Sequence, residues 1–176
     1  MNPMSLVVGL VAGSLVGMIL AGVVFVALMR RKMVQLRRSA LDFEGTLEAI
    51  RKAVGAVPGW SFPMPELDFL EKLQKKGFGV QGIRKARIFF LCNPSHASEV
   101  VGQRPEMIGI MPCSWGVLED EAGRVYLARM NIPLLSRMFT GVVGSTMRRV
   151  AEDEERMLAA IEGTSAGGRP ACPPAP

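Results

Sequence analysis

The chain begins with a long stretch that carries no charged side chain. Residues 1–29 contain no Asp, Glu, Lys or Arg, and five of the next nine residues are basic. From Leu6 to Met29 the residues are almost all apolar or small. A helix of this length extends roughly 35 Å, which exceeds the roughly 30 Å hydrocarbon core of a bilayer. The segment therefore predicts one transmembrane helix.

The residues before and after this helix predict that it is not cleaved off, and they also predict its orientation in the membrane. A cleaved signal peptide has basic residues before its apolar stretch and a small-residue cleavage site after it. Here the basic residues all follow the apolar stretch, where they favour a cytoplasmic position. The sequence predicts a single-pass protein of the inner (cytoplasmic) membrane with its N-terminus outside. The same residues are candidates for contact with anionic lipid headgroups: Arg30, Arg31, Lys32, Arg37 and Arg38.

The basic charge of the chain is local. The sequence has 21 Lys and Arg against 16 Asp and Glu. Without the five basic residues of the segment 30–38, the two signs are equal in number. A nucleic-acid-binding surface needs its basic excess on the folded domain. We therefore expect the bilayer, and no nucleic acid, as a partner.

Small residues recur at every fourth position of the apolar segment. Gly9, Gly13, Gly17 and Ala21 form a stripe that lets a second helix backbone approach closely. This spacing predicts self-association, or packing against another membrane protein. The alternative is that the stripe reflects only the ordinary abundance of Gly and Ala in membrane helices.

The remaining chain divides into four parts. Residues 30–57 combine the basic segment with an amphipathic helix, Ser39 to Val54, that is able to continue the membrane helix. Residues 58–65 are rich in Pro and Gly and form a linker. Residues 66–162 form an α+β domain, and the Gly- and Pro-rich residues 163–176 form a disordered tail. Residues 42–162 together are long enough to fold as one cytoplasmic domain.

Inside the domain, helical and extended patterns do not alternate as in a parallel α/β fold. The expected elements run in this order: a helix at 66–76, a strand at 86–91, a helix that begins at Asn93-Pro94, an extended segment at 107–118 interrupted at Pro112, a hairpin turn at 119–123, a strand at 124–130, and a helical region at 133–162 broken near Gly141 and Gly144. This order favours an α+β fold with helices on one face of the sheet.

Several short motifs resemble a known family. They are the run Lys76 to Val80, Cys92-Asn93-Pro94 with Ala97, Met111-Pro112-Cys113, Gly123 to Tyr126, Met130-Asn131, and Val150 to Glu155 with Met157-Leu158. Together they resemble family 302 of the domains of unknown function. The resemblance implies a compact two-layer α/β fold and a tendency to form homodimers, and it carries over no catalytic residue.

Two cysteines and the single histidine are the main candidates for chemistry. Cys92 and Cys113 end or occupy predicted strands, and His96 lies one helical turn after Cys92. If the strands pair, the three side chains could form a thiol or metal site, and a thiolate at the helix start would have a lowered pKa. The alternative is that both cysteines are small buried residues, which is their usual role in the cytoplasm. Cys172, in the tail, has no predicted role.

Other polar residues have structural explanations beside functional ones. Asn93 is expected to cap a helix, although this helix start, with Ser95, is also a candidate anion-binding site. The acidic run Asp153 to Glu155 is expected on a solvated helix face. The twelve methionines could indicate copper handling, but several of them lie at helical spacing on apolar faces and are expected to fill gaps in the core. No P-loop, GxGxxG, GxSxG or HExxH motif is present.

The sequence therefore predicts a membrane-anchored cytoplasmic binding or assembly module that self-associates. It points to no established reaction and implies no cofactor. The alternative is a thiol- or metal-dependent redox or sulfur-handling accessory protein that uses Cys92 and Cys113.

Overall fold

The computed structural model describes residues 3–162, and within that range it describes all side chains except those of residues 3–12, 28 and 30. The chain divides into two compact units, Met1–Met33 and Val34–Pro176. The predicted tail at 163–176, including Cys172, lies outside the described residues.

The first unit is a single helix, α1, Pro3–Lys32. Every side chain described from Gly13 to Ala27 is exposed. Among the helices as far as their residues are described, none is both long and apolar enough to cross a membrane. Gly9 of the predicted stripe and Arg30 of the predicted basic cluster are among the residues whose surroundings the structure does not describe.

The second unit is built on a five-stranded antiparallel sheet with the strand order β1-β5-β4-β3-β2. The expected α+β class is confirmed. The strands are β1 Val34–Arg38, β2 Leu67–Asp68, β3 Ile83–Leu91, β4 Cys113–Asp120 and β5 Val125–Met130. The helices are α2 Phe43–Ala56, α3 Phe69–Gln74, α4 Pro94–Gln103, α5 Ile132–Ser136 and α6 Gly141–Glu162, and a 3₁₀ helix spans Pro105–Ile110.

One face of the sheet packs against helices α2 and α6. Phe89, Trp115 and Arg129 occupy neighbouring register positions on β3, β4 and β5, and all three are buried. The Trp115 indole donates to Glu154 of α6, and the Arg51 guanidinium of α2 lies 5.7 Å from the centre of the Phe89 ring. Because α2 and α6 meet this same face, the core lies between one helix layer and the sheet.

On the other face of the sheet, several apolar side chains near the β1 edge are exposed to solvent. Val34, Leu36 and Met130 are 63%, 42% and 39% exposed. Val34 and Met130 are register partners, and Leu36 pairs with Ala128. Paired residues lie on the same face of a sheet. We call Val34, Leu36 and Met130 the edge patch.

The largest difference from the sequence prediction lies at 34–38. The sequence allowed the amphipathic helix to continue the membrane helix through this basic stretch, but residues 34–38 form edge strand β1, paired with β5 along its whole length. Arg37 and Arg38 are therefore strand residues. The amphipathic helix begins only at Phe43, because the Asp42 side chain caps it by accepting from the Gly45 amide.

Other boundaries also move. The extended segment expected from Met107 begins only at Cys113, because Pro105–Ile110 forms a 3₁₀ helix. Pro112 thus precedes β4, which is an interior strand. The helix expected at 66–76 is preceded by β2 and covers only Phe69–Gln74. The break near Gly141 is confirmed, since this residue has φ of +64° and begins α6, whereas Gly144 lies inside the helix.

Candidate functional site

The candidate site surrounds the point where β3 ends and α4 begins. The Asn93 side chain accepts hydrogen bonds from the amides of Ser95 (3.1 Å) and His96 (3.5 Å), so the predicted cap is confirmed. Pro94 follows at the first helical position. Because the Asn93 side chain already bonds the amides of Ser95 and His96, these groups are not open to the anion that the sequence suggested.

The segment between α2 and β2, residues 57–66, passes over the start of α4, and we call it the crossing segment. Ser61 and Cys92 exchange two backbone hydrogen bonds of 3.0 Å each. Gly59, with φ of +80°, lies so close to Asn93 that a Cβ atom there would be 2.9 Å from Nδ2 of Asn93. A left-handed glycine without a side chain is therefore required for this crossing.

A polar cluster lies where this segment, α4 and α6 meet. Asp153 Oδ2 accepts from the Trp60 indole at 2.8 Å and lies 3.3 Å from Nε2 of His96. The His96 and Asp153 side chains are 14% and 13% exposed, and the Trp60 and His96 rings meet edge to face. Nδ1 of His96 is buried without a hydrogen-bond partner among the described atoms. Through these contacts Trp60 of the crossing segment is held against His96 of α4 and Asp153 of α6.

The other side of α4 lines a cavity of about 370 Å³. Nine residues line it, and among their side chains only Ser98 and Cys92 can donate a hydrogen bond. Met64 and Ile108 of the lining are 44% and 66% exposed, so the cavity is open to solvent. The remaining lining residues are Pro63, Ala97, Val101, Met111 and Pro112.

The two cysteines lie near each other but do not share this cavity. Leu91 is the register partner of Cys113, so Cys92 lies one residue beyond that pair. Successive residues of a strand face opposite sides of the sheet. Cys92 accordingly lines the cavity, and Cys113 does not. The expected convergence of Cys92, His96 and Cys113 is therefore not formed by the strand pairing.

The protonation of both thiols also differs from the expectation. Burial raises the pKa of the Cys92 thiol. Burial, with a smaller contribution from the Glu154 carboxylate, raises the pKa of the Cys113 thiol to about 12. Both cysteines are free, and in residues 3–162 no three His, Cys, Asp or Glu side chains are grouped to hold a metal ion. Both shifts favour the protonated thiol, which is a weaker nucleophile than the thiolate.

The sequence prediction was most clearly wrong for the acidic run of α6, which was expected to be exposed to solvent. Glu154 is 1% exposed instead of solvated, and it accepts from Arg129 at 2.8 Å and from Trp115 at 3.2 Å. Burial raises the pKa of Glu154 to about 7, although the neighbouring Arg129 charge acts in the opposite direction. The helical period carried the missed signal, since Glu154 falls on the buried stripe of Met147, Val150, Ala151, Met157, Leu158 and Ile161.

The comparisons with known proteins agree with this fold. The family model "Domain of unknown function DUF302" matches residues 34–163, which is most of the chain. The chain belongs to the DUF302 family. The match includes β1 and α2, so both elements are part of the DUF302 domain. No curated protein matches the chain.

A solved structure is similar to the domain. It is the crystal structure of an uncharacterized conserved protein DUF302 from Bacillus stearothermophilus. The TM-score is 0.60 at 18% identity, and the match covers 74% of this chain and 96% of that chain. At this identity the similarity supports the fold alone.

Proposed function

We propose that this chain is a membrane-anchored binding module whose DUF302 domain holds a small apolar ligand. The observation that carries the proposal is the cavity beside Cys92. Its volume of about 370 Å³ lies at the lower end of the range of small-molecule pockets, and its lining is mostly aliphatic or thioether. An apolar ligand would bury its apolar surface against this lining, and no unpaired charge would be buried with it.

The cavity can be tested with a neutral fluorescent probe, N-phenyl-1-naphthylamine, added to the domain of residues 34–162. We expect the probe fluorescence to rise on binding and to saturate at one probe per domain. Ala97→Phe should abolish the rise, because Ala97 lines the cavity. Ala122→Phe is the matched control, since Ala122 is exposed in the β4–β5 turn. Equal binding by both variants would reject the cavity as the site.

The anchor is a separate part of the proposal. It is supported by the uncharged residues 1–29, the basic residues after them, and the exposure of every described side chain from Gly13 to Ala27. Exposed apolar surface of this extent is expected only where a membrane or partner covers it. The proposed orientation has the N-terminus outside and the domain cytoplasmic, in the inner membrane.

Protease protection tests this orientation. In spheroplasts the domain should resist added protease, whereas in inverted vesicles it should be digested. The opposite pattern would show that the proposed orientation is wrong. Recovery of the chain in the soluble fraction would show that residues 1–29 are not a membrane anchor. Binding to vesicles of anionic lipid that weakens with salt would test headgroup contact by the described members of the basic cluster, Arg31, Lys32, Arg37 and Arg38.

Self-association through the helix stripe is the third part. An added Cβ at Gly13 or Gly17 meets no atom within 4 Å, so this face has room for a second helix. Gly13→Leu should weaken a cross-linked dimer of the full chain in membranes. Gly22→Leu is the matched control, because Gly22 is also uncrowded but lies one residue outside the stripe. Equal dimer yields from both variants would exclude the stripe.

The alternative function, a thiol-dependent accessory using Cys92 and Cys113, has a single favourable observation. The Cys92 thiol lines the cavity and would meet any ligand there. The raised pKa of both thiols opposes a redox role. The rates at which the Cys92 and Cys113 thiols react with Ellman's reagent separate the two functions.

A further inference from the structure

Three sulfur atoms belong to side chains that line the same cavity. Met64 comes from the segment after α2, Cys92 from the end of β3, and Met111 from the residue pair before β4. Three separate parts of the chain thus contribute one cysteine and two methionines to the lining of one cavity. No carboxylate or imidazole is in the cavity lining.

This donor set is chemically selective. Thiolate and thioether ligands favour soft ions such as Cu(I), whereas Mg²⁺ and Ca²⁺ require oxygen ligands. Structural zinc takes four ligands from Cys, His and carboxylate side chains, and the cavity offers one of these. Methionine has three rotatable bonds, so Met64 and Met111 can move their sulfur atoms toward an ion held by Cys92.

We propose that Cys92, Met64 and Met111 bind one Cu(I) ion in this cavity. The proposal uses the same cavity as the proposed function, but it rests on the three sulfur atoms and not on the cavity volume. In the binding step the Cys92 S–H bond breaks, the sulfur donates its electron pair to Cu(I), and the proton passes to water. The thioethers bind as neutral donors, and copper remains Cu(I) throughout.

A chelator competition tests the site on the full-length chain. The chain carries Cys172→Ser, so that the tail thiol does not compete, and is titrated with Cu(I) and bathocuproine disulfonate without oxygen. We expect one Cu(I) per chain and release of one proton per ion. Cys92→Ser should abolish this binding, and the double change Met64→Leu with Met111→Leu should weaken it by about tenfold or more, because soft ions favour thioether ligands.

Two controls are matched to these variants. Cys113→Ser removes a thiol outside the cavity, and Met138→Leu removes a thioether that is 52% exposed elsewhere. Both should bind Cu(I) like the unchanged chain. Met→Leu changes conserve volume, so loss of folding does not confound the double variant. X-ray absorption of the unchanged Cu(I) complex should show sulfur neighbours alone.

Four results would overturn the copper site: no Cu(I) bound, unchanged binding by Cys92→Ser, unchanged affinity in the double Met variant, or a nitrogen neighbour in the absorption spectrum. The naphthylamine assay separates this failure from that of the proposed function. If the probe binds and Cu(I) does not, the copper site is rejected and the apolar cavity stands. If Cu(I) binds and the probe does not, the apolar ligand is rejected instead.

Discussion

Arg129 of β5 and Glu154 of α6 form an ion pair inside the domain, with 2.8 Å between Nη1 and Oε2. Their side chains are only 1% and 2% exposed. The second Arg129 nitrogen, Nη2, bonds the half-exposed Glu155 at 2.6 Å. The pair joins the sheet to the longest helix of the domain, so its loss should affect the whole domain.

Removing the arginine should strongly destabilise the domain. Arg129→Met leaves the Glu154 carboxylate buried with the Trp115 indole as its remaining described partner. We expect the free energy of unfolding to fall by about 3–5 kcal/mol, which is typical when one member of a buried pair is lost. Urea unfolding at pH 8, above the pKa of about 7 that Glu154 has in the unchanged domain, measures the loss. Arg104→Met is the control, because its pair with Glu106 is exposed to solvent and its loss should change the free energy of unfolding little.

The same carboxyl group should make stability depend on pH. The pKa of Glu154 is about 7 in the folded domain against an ordinary 4.5. Between these values the folded state keeps a proton that the unfolded chain has lost, so the Glu154 contribution is greatest below pH 4.5 and disappears as pH rises through 7. The difference in unfolding free energy between the unchanged domain and Glu154→Gln should therefore fall over this interval. A difference that is constant from pH 4.5 to 7 would refute the raised pKa.

The thiols should react slowly and in a fixed order. In a Cys172→Ser chain at pH 7, Ellman's reagent should modify Cys92 more slowly than free cysteine, because burial raises the pKa of this thiol. Cys113 should react more slowly than Cys92, since burial raises its pKa to about 12. The variants Cys92→Ser and Cys113→Ser assign the two rates. A thiol that reacts faster than free cysteine would favour the alternative redox function.

The edge patch should contribute to association of the domain. Leu36 is 42% exposed between Val34 and Arg38 on the open face of the sheet. In sedimentation experiments on residues 34–162, Leu36→Lys should shift any dimer toward monomer without lowering stability. Met138→Lys, at a residue 52% exposed outside the sheet, should leave the dimer unchanged. If neither change affects a dimer that does form, the edge patch is not its interface.

Local signals predicted several elements correctly. Asn93-Pro94 begins α4 because a side-chain cap and a proline at the first helical position depend only on neighbouring residues. Strand β1 was missed for the opposite reason. Its five residues carry a weak alternating pattern, and its partner β5 lies about 90 residues later, so only the folded domain reveals the pairing.

The site was predictable only in part. The position of Cys92 between a strand and α4 was predicted, because both elements have local signals. Met64 and Met111, which line the same cavity, come from distant segments, and no local pattern predicts that they meet Cys92 there. Glu154 was assigned to solvent because acidic residues are usually exposed. Its partner Arg129 lies on strand β5, 25 residues earlier in the chain, and no local pattern links the two.

The central claim is that the cavity beside Cys92 holds an apolar ligand, and methionine methyl NMR tests it most directly. In residues 34–162 labelled at the methionine methyl groups, the naphthylamine probe should shift the signals of Met64 and Met111, which line the cavity. The signals of Met130 and Met138, which lie outside it, should not move. Unmoved Met64 and Met111 signals, or equal shifts at all four methionines, would contradict the account.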